Sequence, residues 1–219
     1  MNAIEILHYY LMPNQALYDV VYRHSRSVAD KALQMAASHP DLPVDRLLLE
    51  QAALLHDIGV CRVDAPSIFC YGTEPYIRHG LLGGALLRAL QGAQAGEGWP
   101  SPAPGAGTAP GAAPTPLSYA TPAEQEPLTD ATLEACAHVC ERHTGTGLTI
   151  EDIRTQALPL PLQDYSPQSL EEELICFADK FFSKTHLDSE RDPQQARSKL
   201  EKFGEESLRR FDNWAERFL

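Results

Sequence analysis

The stretch Leu54-Leu55-His56-Asp57-Ile58-Gly59 determines how the rest of the chain is interpreted. An apolar segment that begins near Leu47 ends there in an adjacent imidazole and carboxylate, followed by a glycine. The segment predicts a largely buried helix. Burying His56 beside Asp57 is costly unless both are paired or bind a metal. For an isolated pair, a capping aspartate beside a core histidine is the simpler interpretation. Gly59 can adopt a positive φ and let the chain leave the helix tightly.

Composition restricts the class of protein. The 219 residues fit one domain with an insertion, and the net charge of -12 argues against a nucleic-acid polymer as partner. A local basic cluster can still bind a small phosphorylated molecule. No apolar run approaches the roughly 20 residues that span a bilayer, and no signal peptide is recognisable. Five cysteines without a Cys-x-x-Cys motif indicate free thiols in a reducing cytoplasm. We therefore expect a cytoplasmic protein with no membrane partner; the oligomeric state is left open.

Helical periodicity dominates the chain, and no convincing strand pattern is present. We expect an all-α bundle of about seven helices that forms a single domain over residues 1–219, with its core at about 15–185. Asn14 is a candidate cap for a helix that follows it, and Ser166-Pro167 is expected to open a later helix. The last helix is expected over about 193–217.

Residues 92–127 differ sharply in composition because Gly, Ala, Pro, Ser and Thr dominate them. Such a segment buries too little apolar surface to offset the entropy of ordering it. We expect a flexible surface insertion between two helices, with a docking arm for a partner as the alternative. Trp99 and Tyr119 are the side chains best suited to anchor it.

Six polar side chains stand where the helical pattern predicts burial or a helix end. Each alone is more simply explained as a hydrogen-bonded core histidine, a solvated residue or a paired aspartate. Together they supply four imidazoles and two carboxylates, the donor set of a mononuclear or dinuclear metal centre held between helices. The six are His24, His56, Asp57, His79, His143 and Asp179.

The order of these residues resembles that of the HD-domain metal-dependent phosphohydrolase superfamily, over roughly residues 15–185. The run His56-Asp57-Ile58-Gly59 matches its HDIG variant, and His79 and His143 resemble the additional ligands of its dinuclear members. The spacing from His143 to Asp179 is similar to that of di-iron HD hydrolases that cleave diadenosine tetraphosphate symmetrically. Many members continue HDIG with Lys, whereas Val60 stands here.

The resemblance implies an HD-domain helical bundle and a divalent metal centre of one or two ions, with Fe, Mn, Ni, Zn or Mg as candidates. The first ion would be held by His24, His56, Asp57 and Asp179; Asp57 would bridge to a second ion held by His79 and His143. The implied reaction is hydrolysis of a small phosphorylated substrate by a metal-activated water. The substrate class is a nucleotide, as a phosphomonoester or phosphoanhydride, and Asp57 and His56 are the expected catalytic residues.

Substrate phosphates require cations, and Arg62 and Lys184 are the better candidates, although a solvated surface cation explains either equally well. Lys180 follows Asp179 directly and is expected to face away, since adjacent helical residues point about 100° apart. Two other functions remain open. One is a di-iron HD-fold oxygenase, and the other is a non-catalytic metal-binding sensor or scaffold.

Overall fold

The computed structural model describes residues 1–12, 14–93, 99 and 121–219. Ten α-helices lie in these residues, seven of them nine residues or longer, and the prediction of an all-α fold is confirmed. The helices are α1 (Ala3–Leu11), α2 (Gln15–Ser38), α3 (Arg46–Leu55), α4 (His79–Arg88), α5 (Pro122–Gln125), α6 (Asp130–Arg142), α7 (Ile150–Thr155), α8 (Leu170–Asp179), α9 (Pro193–Ser198) and α10 (Glu205–Phe218). One short antiparallel pair joins β1 (Asp64–Ala65) to β2 (Cys70–Tyr71), which the sequence did not predict.

Local capping determines where several helices begin. The Asn14 side chain accepts a hydrogen bond from the backbone N–H of Leu17, so the predicted cap of α2 is present. The prediction that Ser166-Pro167 opens α8 is wrong. Ser169 caps that helix by accepting from the N–H of Glu172, whereas the N–H of Ser166 donates to Asp164 in a preceding turn.

The predicted continuous last helix over 193–217 is also wrong, because the chain is interrupted between α9 and α10. A 3₁₀ turn, Glu201–Phe203, is followed by Gly204 at φ 92°, in the left-handed region where glycine is favoured. Beyond this break, α10 packs its aromatic face on α8, with the rings of Phe211 and Phe177 5.0 Å apart. The interruption directs α9 and the 3₁₀ turn toward the functional cavity described below.

Helix α3 lies in the centre of the core. Leu49, Leu54 and Leu55 are fully buried, and the helix contacts α2, α6 and α8. Its C-terminal end therefore lies inside the bundle, and the two residues that follow, His56 and Asp57, are enclosed by neighbouring helices. The architecture buries the polar residues that the sequence pattern places at the end of this apolar helix.

Gly59 is required for close packing, and the expectation that it adopts a positive φ is wrong. It lies in a 3₁₀ segment, Ile58–Arg62, that packs against α4. A Cβ atom on Gly59 would lie 2.1 Å from the carbonyl oxygen of His79 and 2.3 Å from the backbone N of Gly83. The glycine thus sets the distance between the His56–Asp57 segment and the helix that begins at His79.

The other face of α4 approaches α6 equally closely. A Cβ on Gly80 would lie 2.4 Å from the carbonyl oxygen of Cys140, and a Cβ on Gly83 would lie 3.2 Å from its Sγ. Glycines are unfavourable inside a helix by about 1 kcal/mol relative to alanine. Here that cost is offset by the close approach of α4 and α6.

The predicted insertion falls mainly on residues 94–98 and 100–120, which lie outside the described residues, as does Tyr119. Its predicted C-terminal end is wrong, because residues 121–127 include the capped helix α5. The side-chain amide of Gln51 donates to the carbonyl oxygens of Ala123 and Glu126, which attaches this segment to α3. Trp99 packs its ring 4.7 Å from that of Tyr9, as expected for an anchor.

None of the helices that the structure describes is both long enough and apolar enough to cross a membrane.

We expect Gly59→Ala to lower the free energy of unfolding by about 1–3 kcal/mol, because overpacking against backbone atoms forces the two segments apart. Gly84→Ala is the matched control, since its Cβ would meet only the flexible side chain of Glu141. Chemical denaturation of both variants measures the difference. Equal stability of the two variants would contradict the packing role of Gly59.

Candidate metal centre

The centre is built around Asp57, whose carboxylate is fully buried. The carboxylate oxygen Oδ2 lies 2.9 Å from Nε2 of His56 and 3.3 Å from Nε2 of His24, which is on α2. Asp179, the last residue of α8, brings its Oδ1 to 3.0 Å from the same nitrogen of His24. These four residues form the first cluster.

A second cluster faces the other oxygen of the same carboxylate. His79 begins α4 and His143 follows α6, and the Nε2 atom of each lies 3.5 Å from Oδ1 of Asp57. The two Nε2 atoms are 3.0 Å apart. The six side chains that the sequence singled out are therefore brought together, with Asp57 between the two clusters.

Backbone carbonyl groups set the tautomers of three of these imidazoles. A carbonyl oxygen can only accept, so Nδ1–H donates to Ala53 from His56, to Tyr76 from His79 and to Cys140 from His143, at 2.6–2.8 Å. In the neutral rings Nε2 then carries a lone pair. The lone pairs of His79 and His143 point at each other across 3.0 Å, an arrangement that a cation between them would stabilise.

Unsatisfied atoms give a second test of whether the residues fit a metal ion. Nε2 of His24, Nε2 of His56 and both oxygens of Asp57 are buried without a properly oriented hydrogen bond, despite their short separations. Buried polar atoms are normally satisfied. The ligand atoms of His24, His56 and Asp57 lie within 4.8 Å of one another, as do those of Asp57, His79 and His143. Both groups could hold a metal ion.

Charges inside the centre shift the ionisation of its members. Burial alone would raise the pKa of Asp57, but the charges of His56 and Lys184 outweigh burial and hold that pKa well below its ordinary value. Burial, followed by the neighbouring His143, lowers the pKa of His79 to about 3, so this imidazole is neutral, the form that binds metals. Burial also lowers the pKa of His56, but Asp57 and Asp179 reverse the shift and raise it to about 9.

Two lysines adjoin the centre. Lys184 places Nζ 2.6 Å from Oδ2 of Asp57, and Lys180 places Nζ 2.7 Å from Oδ2 of Asp179. Burial would lower the pKa of Lys184, but Asp57 outweighs it and raises the pKa above its ordinary value, so this amine stays charged. The expectation that Lys180 faces away is wrong: Lys180 keeps helical backbone dihedrals at the C-cap of α8, but its long side chain reaches back to Asp179.

The centre opens into a cavity of about 680 Å³. His24, His79, His143 and Asp179 lie in its wall, and its charged lining apart from Asp179 is basic. The basic residues are Lys180, Lys184, Arg191, Lys199 and Lys202. Sequence analysis missed the last three. A basic wall in a protein of net charge -12 indicates a local preference for anions.

Arg62, the other predicted phosphate-binding residue, is not among the residues that line this cavity. Its guanidinium instead acts on Cys61, where burial raises the pKa of the thiol to about 11 and Arg62 opposes the increase. We therefore withdraw Arg62 from the candidate site.

Comparison with known proteins gives two matches. Residues 21–95 match the family model of the HD domain. Over 169 residues the chain is 26% identical to the tRNA (cytidine(56)-2'-O)-methyltransferase of Picrophilus torridus, which covers 77% of this chain and 33% of that protein. The chain thus spans about a third of the length of this curated relative. No solved structure gives a significant match.

The family match contains four of the six clustered residues, His24, His56, Asp57 and His79, while His143 and Asp179 come from helices beyond it. HD domains are helical, and the described residues form an all-α fold with paired His and Asp side chains at its centre. The resemblance seen in the sequence is confirmed over residues 21–95, which match the HD domain, the helical unit of the HD-domain metal-dependent phosphohydrolase superfamily.

Proposed function

We propose that the protein is a metal-dependent phosphohydrolase that cleaves a small phosphorylated molecule of the nucleotide class by attack of water on phosphorus. One observation carries the proposal. Two His–Asp clusters share the buried carboxylate of Asp57 and open into a cavity whose charged lining apart from Asp179 is basic. Phosphate hydrolysis needs nitrogen and oxygen atoms that bind metal, with ammonium groups beside them. One end of the cavity supplies both.

In this proposal, His24, His56, Asp57 and Asp179 would hold one divalent ion, and Asp57, His79 and His143 would hold a second. Such ions supply a water of lowered pKa and neutralise the oxygens of the phosphoryl group. Four imidazoles favour a transition metal such as Fe, Mn, Ni or Zn over Mg, because Mg prefers oxygen ligands and water.

The chain's own residues then have separate roles. Asp57 accepts a hydrogen bond from the attacking water and holds it in place. Lys184, whose Nζ is beside Asp57, contacts a phosphoryl oxygen and stays charged throughout. Lys180 neutralises Asp179 and is held by the carbonyl oxygen of His143 at 3.1 Å, so it positions a ligand. The catalytic contact of His56 is with the ion.

The nucleotide class rests on the shape and lining of the cavity. Ile77, Phe182, Leu200 and Phe203 supply an apolar wall beside the basic one, and a sugar and base need such a surface. The volume of about 680 Å³ lies within the usual range for small-molecule sites. The net charge of -12 favours a small nucleotide over a tRNA, although the Picrophilus torridus relative is named for a reaction on tRNA.

The first experiment is release of inorganic phosphate from a panel of nucleotides by metal-loaded protein, with Asp57→Asn as the inactive variant. The amide introduced by this substitution lacks the charge shared by both clusters, and we expect the rate to fall by about 100-fold or more. Activity in the absence of oxygen separates hydrolysis from the oxygenase alternative. Absence of phosphate release by the wild-type protein from every member of the panel would refute the proposal.

Metal content tests the two-ion assignment. We expect about two ions per chain by elemental analysis. His79→Ala and His143→Ala should each reduce the value to about one, because each removes a ligand of the second cluster. His138→Ala is the matched control, since His138 is on α6 but pairs with Glu134 outside the centre. One ion in the wild type and in every variant would leave a mononuclear centre.

Lys184 is tested by a pair of substitutions. Lys184→Gln should lower kcat/KM by about 10–100-fold, the value of one charged hydrogen bond to phosphate, while Lys184→Arg should restore part of the loss. Lys31→Gln is the control, since Lys31 forms an ion pair with Glu190 away from the cavity. Unchanged metal content in Lys184→Gln together with lost activity would exclude a purely structural role.

A further inference from the structure

Part of the cavity wall is formed by α9 and the 3₁₀ turn that follows it. Lys199, just after α9, and Lys202, in the 3₁₀ turn, both line the cavity at a distance along the chain from Lys180 and Lys184. We propose that Lys199 and Lys202 form a second phosphate-binding subsite, so that the substrate carries at least two linked phosphoryl groups. This inference rests on the proposed function and makes its substrate a phosphoanhydride.

The segment is fixed in place by the end of α8. The Arg191 guanidinium donates to the carbonyl oxygen of Lys180 at 3.1 Å and also to that of Phe182, while its backbone N–H donates to Phe181. Ala196 and Leu200 are buried, which anchors α9 and the turn after it. Lys199 and Lys202 are therefore carried on a backbone that is attached to the catalytic end of α8.

The pairing of charges separates these two lysines from several other surface cations. Among the described residues, Arg23, Arg154, Arg209 and Arg217 each form an ion pair with a carboxylate. In the same part of the chain, no ion pair is formed by Lys199 or Lys202, and the Nζ of Lys202 lies 4.8 Å from the ring centroid of Phe203. Exposed cations left without carboxylates in an acidic protein suit an anionic ligand.

The proposed substrate follows from the number of cationic positions. One phosphoryl group needs only the metal ligands with Lys180 and Lys184, and a second basic position is explained by a second phosphoryl group. Hydrolysis forms one bond from the water oxygen to phosphorus and breaks one bridging P–O bond. The electron pair of the broken bond leaves with the departing phosphate, and the water proton is released to solvent.

Calorimetric binding of inorganic phosphate and of a non-hydrolysable tripolyphosphate, in which methylene groups replace the bridging oxygens, to the metal-loaded protein tests the subsite without turnover. In Lys199→Gln/Lys202→Gln we expect the Kd of tripolyphosphate to rise by about tenfold or more. The Kd of inorganic phosphate, which occupies only the catalytic end, should change by less than about twofold. The control Arg154→Gln/Arg209→Gln removes the same charge far from the cavity and should leave both values unchanged.

If the control variant lost as much affinity for tripolyphosphate as the lysine variant, net charge alone would explain the effect and the subsite would be overturned. Unchanged affinity in the lysine variant would also overturn it. Binding of phosphate but not tripolyphosphate by the wild type would also overturn it, with the proposed function intact. If the wild-type protein bound neither metal nor either anion, the proposed function would instead be refuted, and the subsite with it. Thermal unfolding of each variant shows whether the fold is retained.

Discussion

The structure depends on one buried carboxylate. Asp57 is fully enclosed, and an uncompensated charge in that position would cost several kcal/mol. Four imidazole nitrogens and the ammonium of Lys184 surround its two oxygens, and each comes from a different part of the chain. Removal of any one of these groups would leave the buried charge of Asp57 less compensated, at the same kind of cost in free energy. The helices that deliver these groups are therefore coupled through electrostatics as well as through the apolar core around α3.

Close backbone packing makes this convergence possible. The segment that carries Asp57 reaches α4 because Gly59 has no Cβ, and α4 reaches α6 because Gly80 and Gly83 have none. His79 and His143 come together through these two contacts, since one begins α4 and the other follows α6. The glycines thus act on the geometry of the second cluster although none of them can bind a ligand.

The sequence was sufficient to predict the all-α fold and to select the six clustered residues, because polar groups at buried helical positions are unusual. The sequence was insufficient where the role of a residue depends on a contact with a part of the chain that is distant in sequence. The role of Gly59 requires knowledge of α4, against which it packs. The sequence predicts one amphipathic helix across Gly204, so it does not identify Lys199 and Lys202 as site residues. The break at Gly204 changes the direction of the segment that carries them. The ion pair of Lys180 depends on the way its long side chain folds back onto Asp179, which helical periodicity does not predict.

The contact between His24 and Asp179 has a consequence for how the protein folds. It joins a helix near the start of the chain to one that follows residues 94–120, so closing it costs the entropy of a very long loop. Contacts of such large sequence separation slow folding, and the first cluster is complete only after α8 has docked on α2. An ion that binds only the docked form would raise global stability in proportion to the logarithm of its concentration. Metal supply would then control the lifetime of the folded chain as well as its chemistry.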